Sequence, residues 1–314
     1  MNEFKTFVLL IILSFLLIGI SYWVIGSNFG IIFGFGIAAP VNFILWFYSD
    51  KLALSCFRAK PPDFEQANLL QPMLEKLSKT AQLPTPQIYV IYTNVANAFA
   101  TGRNPELSAI TVTDGLLKLL SPEEIEAVLA HEISHIKHRD TLIQIVATTI
   151  AGAISILAGI LQQNLIPIRS NRNYFVNRVV ALITIIFAPF SATIIKLAIS
   201  RTREFAADAG AVSLTGNPRA LASALERLSA SANRTSFSSN IAFASLFIVN
   251  SFSGAFLENL FSTHPSTHAR ISELLNLEGE VKQPQQEFSK IQLHLIVKQG
   301  LVIITTTVVV FMIW

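Results

Sequence analysis

His131-Glu132-Ile133-Ser134-His135 sets two imidazoles four residues apart. On an α-helix that is just over one turn, so both leave the same face and can reach a single ion. Glu132 lies one position round the helix, where its carboxylate meets a water on the ion rather than the ion itself. The chemistry implied is metal-assisted hydrolysis. Zinc in a catalytic site takes three protein ligands plus a water and lowers the pKa of that water to about 7. Glu132 would take the proton and pass it to the leaving amine, a role that contributes roughly 10²- to 10⁴-fold. Five residues of pattern are weakly specific, since a surface helix with two histidines gives the same string.

A second acidic stretch adds weight. In Glu204-Phe205-Ala206-Ala207-Asp208 the two acids share a helix face. Glu204 can complete the ligand set, while Asp208 can accept the outer N–H of a ligand histidine and fix its tautomer. Taken alone, Glu204 reads as a solvated helix acid paired with Arg201 or Arg203; beside the upstream motif, the ligand role is preferred. His138 falls on the face of His131 and His135. Three side chains from one straight helix do not surround an ion tetrahedrally, and the extended H-E-x-x-H-x-x-G-x-x-H form is absent, so His138 is read as solvated. Cys56 is the only cysteine, which excludes an intrachain disulfide and leaves His and carboxylate as the metal donors.

The elements that must position these groups are legible in the same way. Ser121-Pro122-Glu123-Glu124 is a helix start, with a Ser cap, Pro at the first position, Glu closing a capping box and acids at the positive dipole end. Phe64 to Gln82 has helical periodicity. Pro84 and Pro86 break the chain before a short strand at Gln87 to Tyr92, and Ser108 to Thr113 is a second β-rich stretch.

The rest of the composition speaks of a membrane. Mean hydropathy is +0.52, 52% of residues are hydrophobic and 14% are charged, well under the roughly 25% of soluble domains. Phe7 to Ile25 and Ile31 to Tyr48 are apolar runs close to the roughly 20 residues that cross a bilayer, joined by Gly26-Ser27-Asn28-Phe29. Gly30 and Gly34 have the spacing of a helix-packing pair, one that a Gly-rich span also yields by chance. Leu142 to Leu161 and Val179 to Ile199 form a second apolar hairpin, spanning or half-inserted. His135 and Glu204 can share one ion only from one side of the membrane, so the chain between them must cross an even number of times. Lys5, Lys51, Arg58 and Lys60 put that side in the cytoplasm by the positive-inside rule, against which Arg169, Arg172 and Arg178 stand. Leu301 to Trp314 is a candidate fifth membrane segment. A net charge of +3, with several basic residues beside apolar runs, points to lipid headgroups and not to nucleic acid.

With these motifs in view, the chain resembles the HtpX-type heat-shock membrane proteases, relatives of the CAAX prenyl endopeptidases. The resemblance is carried by Asn97-Ala98-Phe99-Ala100-Thr101-Gly102-Arg103-Asn104-Pro105 and Val112-Thr113-Asp114-Gly115-Leu116-Leu117. It continues in Val128 to Lys137, Arg139-Asp140, Ser200 to Asp208, Leu246 to Asn250, and Ser262-Thr263-His264-Pro265 to Arg270-Ile271. It implies a zinc-dependent endopeptidase facing the cytoplasm of the inner (plasma) membrane, acting on misfolded or unstructured membrane-protein segments. Its expected ligands are His131, His135 and Glu204, with Glu132 catalytic. It further implies that an extended substrate adds as a strand along Asn97, Ala98, Phe99 and Ala100, and that His264 helps hold the oxyanion.

The fold expected is an α-helical integral membrane protein with a zincin-like α+β catalytic domain, mainly α with a small β-sheet. Its parts are a transmembrane hairpin (1–50), a first catalytic part with the histidine helix (51–140), the second apolar hairpin (141–200), a second catalytic part with the third ligand (201–290) and the apolar tail (291–314). The competing functions are a proteolytically silent zinc-binding scaffold or chaperone, against which the intact Glu132 speaks, and a transporter. A transporter needs ionisable residues at mid-depth, and these spans have almost none.

Overall fold

The computed structural model describes residues 2–25, 27–150, 201–232, 248 and 265–281. Two long helices open the chain, α1 (Asn2–Ile25) and α2 (Asn28–Cys56). They pack antiparallel through small residues. A Cβ on Gly30 would fall 2.6 Å from the Ser21 carbonyl oxygen, and one on Gly34 would fall 2.6 Å from the Ile18 Cα. The glycine pair is therefore the contact line of the hairpin. Asn42 donates across it to the Leu10 carbonyl (3.3 Å) and to the Ser14 hydroxyl (2.7 Å). Phe7, Phe15, Phe33, Phe35 and Phe43 are exposed and leave the hairpin a large apolar surface.

Among the described residues one helix, α2, is long and apolar enough to cross a bilayer, with a mean hydropathy of 1.9. It runs on past the apolar run to Cys56, carrying Asp50 and Lys51, so the expected boundary at 50/51 falls inside a helix. Val179 to Ile199 and Leu301 to Trp314 lie outside the described residues.

Asp63 and Gln66 form a reciprocal capping box that starts α3 (Phe64–Ala81), an arrangement worth about 1 kcal/mol. Three short strands follow: β1 (Gln87–Ile91), β2 (Ala98–Thr101) and β3 (Ala109–Thr113). Their order is β1-β3-β2, with β1 parallel and β2 antiparallel to the central β3. The short helix α4 (Asp114–Leu119) leads to α5 (Pro122–Lys137), where Ser121 and Glu124 make the second capping box. An apolar helix α6 (Thr141–Ile150) follows at once. Beyond residue 200 come α7 (Arg201–Thr215), α8 (Pro218–Ala232) and α9 (Thr267–Val281). The fold is mainly helical with one small mixed sheet.

The core explains why α5 is rigid. Ile125, Leu129, Ile133 and Ile136 of α5 join Leu70, Leu74 and Leu77 of α3, Ile110 and Val112 of β3, and Leu221, Leu225 and Leu228 of α8 in one buried cluster. Helix α5 touches α3, β2, α7 and α8. Its polar residues His131, Glu132, Ser134 and His135 are as buried as its apolar ones. A helix buried all round with polar side chains inside must satisfy them there.

Candidate metal centre

Helix α5 presents His131 and His135 with their Nε2 atoms 3.2 Å apart, and their rings meet edge to face. Glu204, in the first turn of α7, brings its carboxylate to both: Oε2 lies 3.8 Å from His131 Nε2, and Oε1 lies 3.7 Å from His135 Nε2. One ligand atom from each residue falls within 4.8 Å of the others, and all three residues are buried. A small tetrahedral cation, with bonds of about 2.0–2.1 Å, holds its ligand atoms about 3.3 Å apart. The two imidazole nitrogens sit at about that spacing, and the carboxylate approaches each from slightly further off through a different oxygen. The donor set is of the kind that holds a metal ion.

Behind each imidazole stands a carboxylate, and behind each carboxylate an arginine. His131 Nδ1 lies 3.0 Å from Asp208 Oδ1, and Arg270 clamps Asp208 with two bonds, Nε to Oδ2 at 2.8 Å and a terminal nitrogen to Oδ1 at 2.6 Å. His135 Nδ1 lies 3.3 Å from Asp140 Oδ2, and Arg203 donates to Asp140 Oδ1 at 3.2 Å. Burial pushes both carboxyls up. For Asp208 the charge and hydrogen bonds of Arg270 outweigh it, and for Asp140 those of His135 and Arg203 do, so both sit below the usual carboxylate range.

The end of α5 makes the second of these pairs possible. The Arg139 N–H donates to the Ile136 carbonyl and the Asp140 N–H to the His135 carbonyl, both at 3.0 Å. Those are the two bonds of a Schellman motif, with Arg139 at the left-handed position (φ 55°) where glycine is usual. The reversal folds Asp140 back onto the ring of His135, five residues earlier.

Charge also fits a cation. With neutral imidazoles, Glu132, Asp140, Glu204 and Asp208 bring four negative charges, and Arg203 and Arg270 bring two positive ones. The two left over are what a divalent ion neutralises. Protons are the alternative source. Burial pushes the Glu132 carboxyl up to about 7. His135 is opposed by burial, yet its hydrogen bond to Asp140 and the charges of Glu204, Glu132 and Asp140 raise it to about 9. His131 goes the other way, to about 4, because burial dominates there.

Strand β2 abuts this centre. The Ala100 backbone N–H draws the Glu132 carboxyl down, against its burial. On the same outer edge the Ala98 carbonyl accepts the N–H of Ile248 at 3.3 Å, and Arg270 holds the Ile248 carbonyl at 2.9 Å. The side chains of Asn97 and Phe99 point inward. Asn97 Oδ1 accepts from the Ala98 N–H at 3.1 Å, and Phe99 packs on Phe57, just past α2, with ring centroids 5.2 Å apart. What β2 can offer a partner is therefore its backbone. His138 is exposed at the C-cap of α5, with Nδ1 3.4 Å from the Ser134 hydroxyl.

The sequence reading gave Asp140, Arg203 and Arg270 no role at the site. A fully buried arginine leaves no periodic trace, and Arg203 enters the sequence reading only beside Arg201, as a partner for Glu204 were that acid solvated. Glu204 itself is fully buried, not solvated. His264 lies outside the described residues.

The family model described as "Peptidase family M48" matches residues 65–278. "Protease HtpX homolog" of Trichormus variabilis is 53% identical over 284 residues, covering 89% of this chain and 98% of that one. "Protease HtpX" of Legionella pneumophila is 43% identical over 277 residues, covering 87% and 98%. The solved structure of S. mikatae Ste24p aligns with a TM-score of 0.47 at 20% identity, over 83% of this chain and 62% of that one.

Proposed function

The chain belongs to peptidase family M48 and is a membrane-anchored metalloprotease, and on that premise we propose that it is a zinc-dependent endopeptidase with His131, His135 and Glu204 as ligands. The observation that carries this reading is the convergence of those three buried side chains, two from one helix and one from another, with a ligand atom of each within 4.8 Å of the others. Zinc bound there supplies a Lewis acid that polarises the scissile carbonyl and brings the pKa of water to about 7.

Glu132 is the general base. As the oxygen of water bonds to the carbonyl carbon, the Glu132 carboxylate takes its proton and then delivers it to the leaving nitrogen as the C–N bond breaks. Burial pushes that carboxyl up, which makes it the stronger base. Asp208 accepts the outer N–H of His131, which leaves its Nε2 lone pair facing the ligand position. Strand β2 packs against the helix that carries Glu132, so a substrate running along the outer edge of β2 passes the base. That edge already bonds backbone at residue 248, which supports strand addition there, with the backbone of Ala98 and Ala100 as the contacts. His264, next to the described Pro265, is assigned to the oxyanion on the family resemblance.

The wider reading is a zincin-like catalytic domain on a multi-pass inner-membrane protein, facing the cytoplasm and cutting unfolded or membrane-protein segments as quality control. Lys5, Lys51, Arg58 and Lys60 at the cytoplasmic ends of the first hairpin support the orientation. The test is the purified full chain in detergent. One zinc per chain and chelator-sensitive cleavage of unfolded casein are expected, with both lost in Glu204→Gln; full zinc binding by that variant would remove Glu204 from the ligand set.

A further inference from the structure

Each proposed ligand histidine has a carboxylate on its Nδ1, but the two arrangements are built differently. Asp208 comes from the same helix as Glu204 and is locked by the buried Arg270. Asp140 comes from the turn that ends the histidine helix itself, and its arginine arrives from 63 residues further along the chain. Asp140 is the last residue before α6, and Arg203 is the third residue of α7. The two therefore flank the stretch 141–200 in sequence and pair with each other at 3.2 Å.

We propose that Asp140 and Arg203 form a positioning pair for the metal ligand His135. Asp140 accepts the His135 Nδ1 proton, which fixes the tautomer whose Nε2 lone pair faces the ion. The left-handed Arg139 turn aims the carboxylate there. Arg203 acts only through Asp140: its guanidinium holds the other carboxylate oxygen and is itself partly exposed (14%). Burial of Asp140 makes the arrangement demanding, since a buried carboxylate without its charged partners is costly. The inference rests on the zinc reading above.

The test uses the full-length protein in detergent, stripped of metal and titrated with zinc against a chromogenic chelator. Asp140→Asn should weaken zinc binding roughly 10- to 100-fold, and Arg203→Met should weaken it less. The double variant should be no worse than Asp140→Asn alone, because Arg203 reaches His135 through that carboxylate. The visible spectrum of the cobalt-loaded Asp140→Asn protein should differ from that of wild type, as a reoriented imidazole requires. Zinc affinity of Asp140→Asn within twofold of wild type overturns the proposal, and so do losses that add in the double variant. If Asp140→Asn does not fold, Arg203→Met decides: weakened zinc binding supports the pair, and wild-type affinity rejects it. A wild-type chain that binds no zinc would instead sink the metal reading itself.

Discussion

Ser134 on α5 and Gly210 on α7 touch where the two metal-bearing helices cross. A Cβ at position 210 would lie 2.9 Å from the Ser134 Cβ and nearer still to its hydroxyl. This contact sets how close Glu204 and Asp208 come to the histidines, because all four groups sit on the facing sides of these helices. Gly210→Val should drive the helices apart and weaken zinc binding at least tenfold while helical content survives. Adding Ser134→Gly should restore part of the loss. Undiminished zinc stoichiometry in Gly210→Val, measured by metal analysis after dialysis, would remove the crossing from the account.

Glu132→Gln keeps the size of the side chain and removes the base. Zinc content should stay at one per chain, and cleavage of casein should fall by at least 10²- to 10⁴-fold. Turnover close to wild type in a zinc-replete Glu132→Gln sample would mean that another group handles the proton.

Arg270 answers Asp208, the Ile248 carbonyl and the neighbourhood of Glu204 from a position 2% exposed. Arg270→Met leaves buried charges unanswered, a loss of about 3–5 kcal/mol. The melting temperature in detergent should drop by several degrees or more even with chelator present, since the defect does not require metal. A melting temperature equal to wild type would show that the Asp208 carboxylate finds another donor.

The stability of the chelator-treated protein should depend on pH through His135. Its folded pKa is raised from 6.5 to about 9. A raised basic group stabilises the fold fully below its unfolded pKa, and that contribution is lost as pH rises through the folded value. Melting temperature should therefore fall between pH 6.5 and 9, and Asp140→Asn, which takes away the partner, should flatten the fall. A flat profile for the wild-type chain over that window would contradict the ion pairing at His135.

Much of this was legible along the chain. The i, i+4 spacing places His131 and His135 on one helix face whatever the rest of the molecule does, because helical pitch is a local property. The Ser121-Pro122 start is set by local hydrogen bonding, and its capping box forms. The apolar runs before residue 50 announce the helical hairpin by length and composition alone. Gly30 and Gly34 had the right spacing, but only the backbone of α1 lying against them distinguishes a contact line from chance.

What tertiary structure alone decided is the ring of charge around the ligands. Arg203 stands next to Glu204 in sequence, yet it turns to Asp140, because adjacent helical residues point about 100° apart. Arg270 reaches Asp208 from 62 residues away and lies 3.5 Å from His131, a separation of 139. Gly210 matters only because Ser134 happens to face it. The sequence by itself determined which helix carries the histidines and that Glu132 lies beside them, since those follow from the pitch of one segment. The fold decided which carboxylates and guanidinium groups complete the site, since burial of charge is settled by contacts between segments that have no spacing to reveal them.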